Sequence, residues 1–494
     1  MATYPVRFHL PWLKSSCLPR LTQWLGKNYA LTLSPAAPRL VVFWDSFDWR
    51  LWQNNLVCFT EAGLLHLTDL GGKAVAPPQP MTPPSSWQEL PDAALKQRLA
   101  PLLQTRALIR QGECAGSVSN LCLMTWKGKA LASALLTETE HGCLLEFHAA
   151  STAGRAFQRL AQRLKDRYGS LRQVAAKEQL EAALAATGRL PGNGHLAPQL
   201  EPEMDCQQAA KTILLLLADT LRRTQQGVVD NTDSEFLHDY RVALRRTRSA
   251  LSLFVNELEP KALVRFSTAF KELGHVTGPA RDLDVQLLTA ETCRARLPEL
   301  LQPGVESFFT DLTAQRAAEQ DKLAQHLNAP EQEALLQDWQ TWLEHEGSSG
   351  RAVGTMARRT LRRRFTRLLV ALQAVDSRAP DQELHRLRIK VKKLRYALEF
   401  FRSLFPEAEM DWLTSLFKQL QESLGLANDL AVQEALLAQQ LTTGQANGTA
   451  AAAIGGLLME LHQRREQTRA GLDTRLQLLL CHDKVKRVQR LLAG

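Results

Sequence analysis

HDYRVALRRTRSALSLF (238–254) and HRLRIKVKKLRYALEFF (385–401) are the two stretches that decide the fold. They align without a gap at an offset of 147 residues. His238 falls on His385, Arg241 on Arg388, Arg245 on Lys392, Arg246 on Lys393, Arg248 on Arg395, Leu251 on Leu398 and Phe254 on Phe401. The same offset places Lys271 on Lys418, Leu273 on Leu420, Gly278 on Gly425, Asp282 on Asp429 and Val285 on Val432. An ungapped self-match of this length implies two copies of one structural unit, with a pseudo-twofold relation between them as the expectation.

Apolar residues recurring at i, i+3, i+4 and i+7 mark both stretches as helices. His238, Arg241, Arg245 and Arg248 then share one face, and so do His385, Arg388, Lys392 and Arg395. Leu244, Leu251 and Phe254, like Leu387, Leu394 and Phe401, supply the packing face. Arg246 and Lys393 point somewhat aside. Like charges three or four apart cost a helix roughly 0.2–0.5 kcal/mol per pair. A basic face written twice therefore implies a counter-anion or acidic neighbours. For a single arginine a solvated face or an internal ion pair is the plain alternative, and for His238 and His385 a packed histidine with a satisfied ring nitrogen.

Each basic helix is followed by a related segment, KELGHVTGPARDLDVQLL (271–288) and KQLQESLGLANDLAVQEALL (418–437). Asp282 and Asp429 fit either a cap on a new helix or an orienting partner for the basic side chains, in preference to a metal. Arg281 could turn toward an anion at that helix start, whereas its counterpart is Asn428. A further basic segment, MARRTLRRRFTRLL (356–369), sets Arg358 and Arg362 on one face before Phe365 interrupts the stripe. Those two arginines are expected to extend the anion site.

Around these helices the chain divides. TGRLPGNGHLAPQLEPEM (187–204) is rich in Gly and Pro and lacks helical periodicity. We read domains at 1–190 and 205–490, with 191–204 as linker. The first is α+β, with strands at VRFHL (6–10), LVVFW (40–44) and LLEFH (144–148), helices near 17–27 and 153–168, and a loop at APPQPMTPPSS (76–86). The second is an all-helical bundle of about eight to ten helices. Residues 1–200 hold 21 Lys+Arg against 13 Asp+Glu, and the rest 39 against 38. Within that near-neutral remainder, 355–402 carries 14 basic and 4 acidic side chains, which is charge focused in one place.

Eight cysteines without a CxxC pair argue against a zinc site or disulfide framework and fit a reducing cytoplasm. No apolar run approaches the roughly 18 residues of a membrane span, and no secretory pattern opens the chain. GxxxxGK, GxGxxG, HExxH and GxSxG are all absent. No cofactor or metal is expected.

FLHDYRVALRRTRSAL, GPARDLDV, LHRLRIKVKKLRYALEFF and LQESLGLANDLAV together resemble the CHAD domain over about residues 203–490. That resemblance implies two four-helix halves around a basic central channel that holds inorganic polyphosphate. It makes His238, Arg241, Arg245, Arg248, His385, Arg388, Lys392 and Arg395 the first candidates for phosphate contacts, with Arg246, Lys393, Arg281, Arg358 and Arg362 after them. FWDSFDWRLWQNNLVCF (43–59) resembles the CYTH (triphosphate tunnel) family, which implies an antiparallel barrel. The family's ExExK strand would fall on PVRFH (5–9), where Arg7 and His9 replace an acid and a lysine, and its later acidic strand on LLEFH, with Glu146 left. The basic pair of the next strand, near Val57–Thr60, is missing. Hydrolysis of triphosphate needs several carboxylates around a divalent metal, so we expect polyphosphate binding without catalysis. A CYTH-type inorganic triphosphatase is the alternative. Nucleic acid is a further alternative, disfavoured because the basic faces lack interleaved aromatics. The expected location is the cytoplasm, where polyphosphate granules would present the ligand.

Overall fold

Charge, apolar periodicity and Gly/Pro punctuation change character near residue 200, and the structure divides there. The computed structural model describes residues 7–13, 18–80, 87–90, 93–139, 142–150, 153–168, 180–181, 198–345, 347–376, 378–442 and 448–493. Two compact units emerge, Met1–His195 and Leu196–Gly494.

The first unit is one antiparallel sheet with helices. Its strands are β1 (Arg7–Leu13), β2 (Ala30–Leu33), β3 (Ala37–Asp45), β4 (Leu56–Glu61), β5 (Leu64–Asp69), β6 (Gln79–Pro80), β7 (Ile109–Met124), β8 (Ala130–Thr139) and β9 (Gly142–Ala149). The order is β1-β9-β8-β7-β3-β4-β5-β6, with β2 also on β7. The long β7 takes β3 and β2 in succession along one edge and β8 along the other. Among the described residues β1 and β6 do not pair with each other, so the sheet is open where a closed barrel was expected. The described part of β6 is two residues long and ends in Pro80, a residue with no N–H to give a ladder. It also puts a short edge strand inside the expected loop 76–86, whose residues 81–86 lie outside the described ones.

Helices α1 (Leu18–Asn28), α2 (Arg50–Gln53), α3 (Ala93–Leu103) and α4 (Gly154–Tyr168) also belong to this unit. Leu21 and Leu25 of α1 and Phe157, Leu160 and Leu164 of α4 share a core with Leu121, Leu136 and Phe147 of the sheet. The 43–59 segment turns on Asp45, which is buried and accepts from the N–H groups of Ser46, Leu51 and Trp52 at 2.7, 2.9 and 3.0 Å. Desolvation pushes its carboxyl up to about 7 against those three donors. Asp45 therefore shapes the turn into α2. In the β1–β9 ladder His9 lies opposite Glu146 and Arg7 opposite His148. The side chains of Arg7, His9 and Glu146 lie outside the described residues.

The second unit is helical, and no helix among the described residues is long and apolar enough to cross a membrane. Its helices are α5 (Cys206–Val229), α6 (Ser234–Leu253), α7 (Pro260–Val276), α8 (Gly278–Leu287), α9 (Ala290–Arg296), α10 (Gln302–Leu327), α11 (Pro330–Glu344), α12 (Val353–Gln373), α13 (Asp381–Phe400), α14 (Glu407–Thr442), α15 (Gly448–Ala470), α16 (Leu472–Leu480) and α17 (His482–Ala493). Thirteen among the described residues exceed the eight to ten expected. Two breaks explain part of the excess. The apolar-periodic stretch 454–480 parts at Gly471 into α15 and α16. Gly278-Pro279 separates α7 from α8, because proline gives no N–H and is accommodated at a helix start. The aligned pair is Gly425-Leu426, and there the chain runs on as the 36-residue α14.

That difference corrects the reading of the two aspartates. Asp282 sits inside α8, which starts from Thr277, and Asp429 lies in mid-α14, so neither heads a helix. Asp233 is a true cap: its carboxylate accepts from Glu235 and Phe236 N–H at 2.8 and 3.0 Å and starts α6. Residues 200–204 of the expected linker dock on the helices, with Leu200 N–H donating to Ser403 Oγ at 2.9 Å and Val353 N–H to Met204 O at 2.8 Å.

Two contacts set helix spacing away from the basic face. Buried Arg316 on α10 donates from Nε to Asp284 of α8 at 2.5 Å and from Nη1 to Gln320 at 2.9 Å. Gly304 on α10 lies so close to Thr449 and Ala450 that a Cβ would strike backbone. We expect Gly304→Ala to destabilise the helical unit by about 1–3 kcal/mol through overpacking. Arg316→Leu, which strands the buried Asp284, should cost roughly 3–5 kcal/mol. Denaturant midpoints of the full chain check both, and a Gly304→Ala midpoint equal to wild type would contradict the close approach.

Candidate anion-binding site

α6 and α13 are each 20 residues long and start 147 residues apart. Each buries its apolar side: Phe236, Leu237, Tyr240, Leu244 and Leu251 on α6, Leu384, Leu387, Val391, Leu394 and Leu398 on α13. The helices pack on each other, and where they meet, aligned residues of the two copies meet as well. Phe254, just past α6, sets its ring edge-on to Phe401, just past α13, with centroids 5.9 Å apart.

The same holds for charge. The Lys392 ammonium is pushed from its ordinary 10.5 down to about 7, first by burial and then by Arg245, Arg388, Arg395 and Arg241. Arg245 is the aligned counterpart of Lys392. Two arginines of α6 and two of α13 thus crowd one lysine. Among the described residues neither Lys392 nor Arg245 has a hydrogen bond or ion pair, and the buried Arg245 Nε has no acceptor. Among the described residues Arg245 and Lys392, at the centre of the cluster, pair with no acid, while Arg388 and Arg395 at its margin each face one.

The other expected residues take graded positions around this pair. Arg241 is held by Gly274 O and Thr277 Oγ1, donating from Nη1 at 3.1 and 3.0 Å. Burial lowers its pKa and nearby Asp282 partly restores it. Arg388 lies 3.7 Å from Asp429, the aligned counterpart of Asp282. Both aspartates therefore act as orienting partners of the basic side chains. Arg241 passes beside Gly278, and Arg388 beside the aligned Gly425. Arg248 is exposed beside Gly274. Arg395 is braced by Gln421, donating from Nε at 2.8 Å, and by Glu399.

The histidines stand one step out. Arg281 Nη2 lies 3.0 Å from His238 Nδ1, while its Nη1 donates to Ser234 O at 3.0 Å and faces Glu235 at 3.6 Å. A guanidinium can only donate, so Nδ1 accepts and the neutral His238 ring carries its proton on Nε2. At the aligned place His385 Nδ1 lies 2.8 Å from Asn428 Oδ1. The Asn428 amide donates to Asp429 Oδ1 at 3.4 Å, which orients its oxygen toward the ring and makes His385 Nδ1 the donor. His385 is exposed, on a cleft of about 320 Å³. Arg281 is thus engaged within the protein.

Arg246 is tied across the seam, donating from Nη2 to Glu399 at 2.8 Å. Lys393 is exposed, and its carbonyl accepts from Arg364 Nη1 at 2.7 Å. Arg358 and Arg362 are not brought into the cluster around Lys392. They line a separate cleft on α12. Sequence reasoning missed Glu399 and Tyr396. Glu399 binds Arg246 of one copy and Arg395 of the other, and the guanidinium carbons of both arginines stand 5.7 and 5.4 Å from the Tyr396 ring centre. The i,i+4 spacing of Arg395 and Glu399 was readable, but Arg246 reaches Glu399 only through the tertiary packing.

The cluster thus lies on two aligned helices of an all-helical unit. Residues 212–438 match the family model of the CHAD domain, and the helical unit contains that domain. The chain is similar to the crystal structure of the CHAD domain from the plant Ricinus communis, at 27% identity over 58% of this chain and 97% of that one, with a TM-score of 0.48. It is also similar to PptA from Streptomyces chartreusis, at 16% identity over 55% and 99%, with a TM-score of 0.46. No curated protein matches the chain.

Lys392 has a testable consequence for stability. The folded chain releases its proton near pH 7, while an unfolded lysine keeps one to about pH 10.5. Between those values the unfolded chain binds the extra proton, so this group's contribution makes stability rise with pH across the window. Lys392→Met should flatten that rise and raise the denaturant midpoint at pH 7 without polyanion. Equal pH slopes for wild type and variant would show that Lys392 is not held away from water and among cations.

Proposed function

We propose that the helical unit binds inorganic polyphosphate, without cleaving it, along the basic face centred on Arg245 and Lys392. The observation that carries the reading is the convergence of five cations from two aligned helices with no acid at their centre. A phosphate chain answers it well: several guanidinium and ammonium groups each give a charge-assisted hydrogen bond, and the chain releases counterions as it docks. On this reading Arg241, Arg245, Arg388, Lys392 and Arg395 contact phosphate first, His238, His385 and Arg248 flank them, and Arg246 and Arg281 hold the frame. The contacts between aligned residues support two repeated halves related by a pseudo-twofold axis at the α6–α13 seam.

For the first unit we propose a kinship with CYTH that rests on the 43–59 segment and on antiparallel strands. Among the described residues no group of three His, Cys, Asp or Glu is placed to hold a metal ion. Our reading of binding without hydrolysis rests on the sequence, where Arg7 and His9 stand for an acid and a lysine and Glu146 is left of the later acidic strand.

Affinity should rise from tripolyphosphate to long chains and fall steeply with salt. Calorimetric titration in both variables checks this, and an affinity independent of chain length would refute a site that tracks a chain. Phosphate beside Lys392 should restore its proton. Binding near pH 8 should therefore take up about one proton in the wild type and fewer in Lys392→Met, read from titrations in buffers of different ionisation enthalpy. Duplex DNA that displaces polyphosphate at equal phosphate concentration would favour a nucleic-acid surface instead.

A further inference from the structure

α12 carries six arginines and no acidic residue. Arg364 turns inward to the carbonyl of Lys393 on α13. The other five, Arg358, Arg359, Arg362, Arg363 and Arg367, line a cleft of about 560 Å³ closed on its far side by Leu492 of α17. None of the five has an ion pair with an acid among the described residues; the guanidinium of Arg358 rests 5.9 Å from the Phe405 ring centre. The facing helix α17 adds Lys484, Lys486, Arg487 and Arg490 against Asp483 alone, and of these Arg487 is neutralised by Glu409 at 2.9 Å.

The pairs 358/362, 359/363 and 363/367 are each one turn apart, and every such like-charge pair weakens the helix. Nothing within the described protein offsets them. Nine residues of α12 separate the first arginine from the last, a rise of about 14 Å. A single small anion covers a fraction of that length, whereas an extended anion with repeated charges covers all of it. Guanidinium forks suit phosphate oxygens in pairs.

We propose that the α12–α17 cleft is a second station for a phosphate chain, reached by long chains and not by short ones, and therefore a length selector for the site at Lys392. The proposal rests on the polyphosphate reading of that first site. The two stations lie on packed neighbours, since α12 contacts α13. Exposed Lys393 lies at that contact. A chain held at Lys392 that continues onto α12 makes its second set of contacts at high effective concentration, which multiplies affinity without any change at the first.

Two variants separate the stations. Arg359→Gln/Arg363→Gln/Arg367→Gln changes three exposed residues to another good helix former, with a thermal melt as the check on folding. Arg245→Gln/Lys392→Met alters the central cluster. We expect the first to lower affinity for a long-chain polyphosphate fraction roughly tenfold or more, with tripolyphosphate affinity within about twofold of wild type. The second should weaken both ligands. Unchanged long-chain affinity in the α12 variant, or an equal loss for both lengths, overturns the second station. No effect of the central variant overturns the polyphosphate site itself, a distinguishable failure. Labelling of the wild-type chain with phenylglyoxal gives an independent readout. Long polyphosphate should protect Arg359, Arg363 and Arg367 while tripolyphosphate leaves them reactive. Undiminished labelling under the long chain, or protection by duplex DNA alone, overturns the proposal.

Discussion

The helical unit depends on a repulsion. α6 and α13 are pressed together by their apolar sides, and that packing drives Arg245 and Lys392 toward each other with no acid between them. Surface cations normally move apart into water, where each interaction is weak. Here burial of Leu244, Leu251, Leu394 and Leu398 leaves them no such freedom. The hydrophobic effect holds the cations together, and on the polyphosphate reading their charge is what draws the phosphate chain.

Acids are present nearby but sit at the margins. Glu399 takes Arg246 and Arg395, Asp282 and Asp429 steady Arg241 and Arg388, and Glu235 faces Arg281. Each restrains an arginine at the margin of the cluster, and on the polyphosphate reading that restraint lowers the entropy lost on binding. This arrangement also explains why the near-neutral charge of the second half hides a strongly basic centre.

What was legible beforehand follows from range. The shared face of His238, Arg241, Arg245 and Arg248 is a matter of helical period, so it could be read directly, and the 147-residue offset doubled the evidence. The partner of Arg246 could not be read. Glu399 lies 153 residues away and its aligned counterpart is Ser252, so the repeat itself gave no hint. The cap reading of Asp282 and Asp429 assumed two like turns, but Leu426 in place of Pro279 lets α14 run straight through. The barrel expected of the first unit failed for a similar reason. Strands were found near their places, but closure depends on which edges meet, a long-range matter that no local pattern of residues records.

The seam between α6 and α13 also constrains how this sequence can drift. Away from it the copies have diverged: Arg281 against Asn428, Gly274 against Gln421, a broken helix against a straight one. At the seam two residues have their own counterparts for neighbours. Phe254 leans on Phe401, and Arg245 sets the charge felt by Lys392. A substitution there changes the surroundings of its twin in the same stroke, so the two must be accepted as a pair. At these two positions aromatic stands with aromatic and cation with cation, and there the copies have little room to become different proteins.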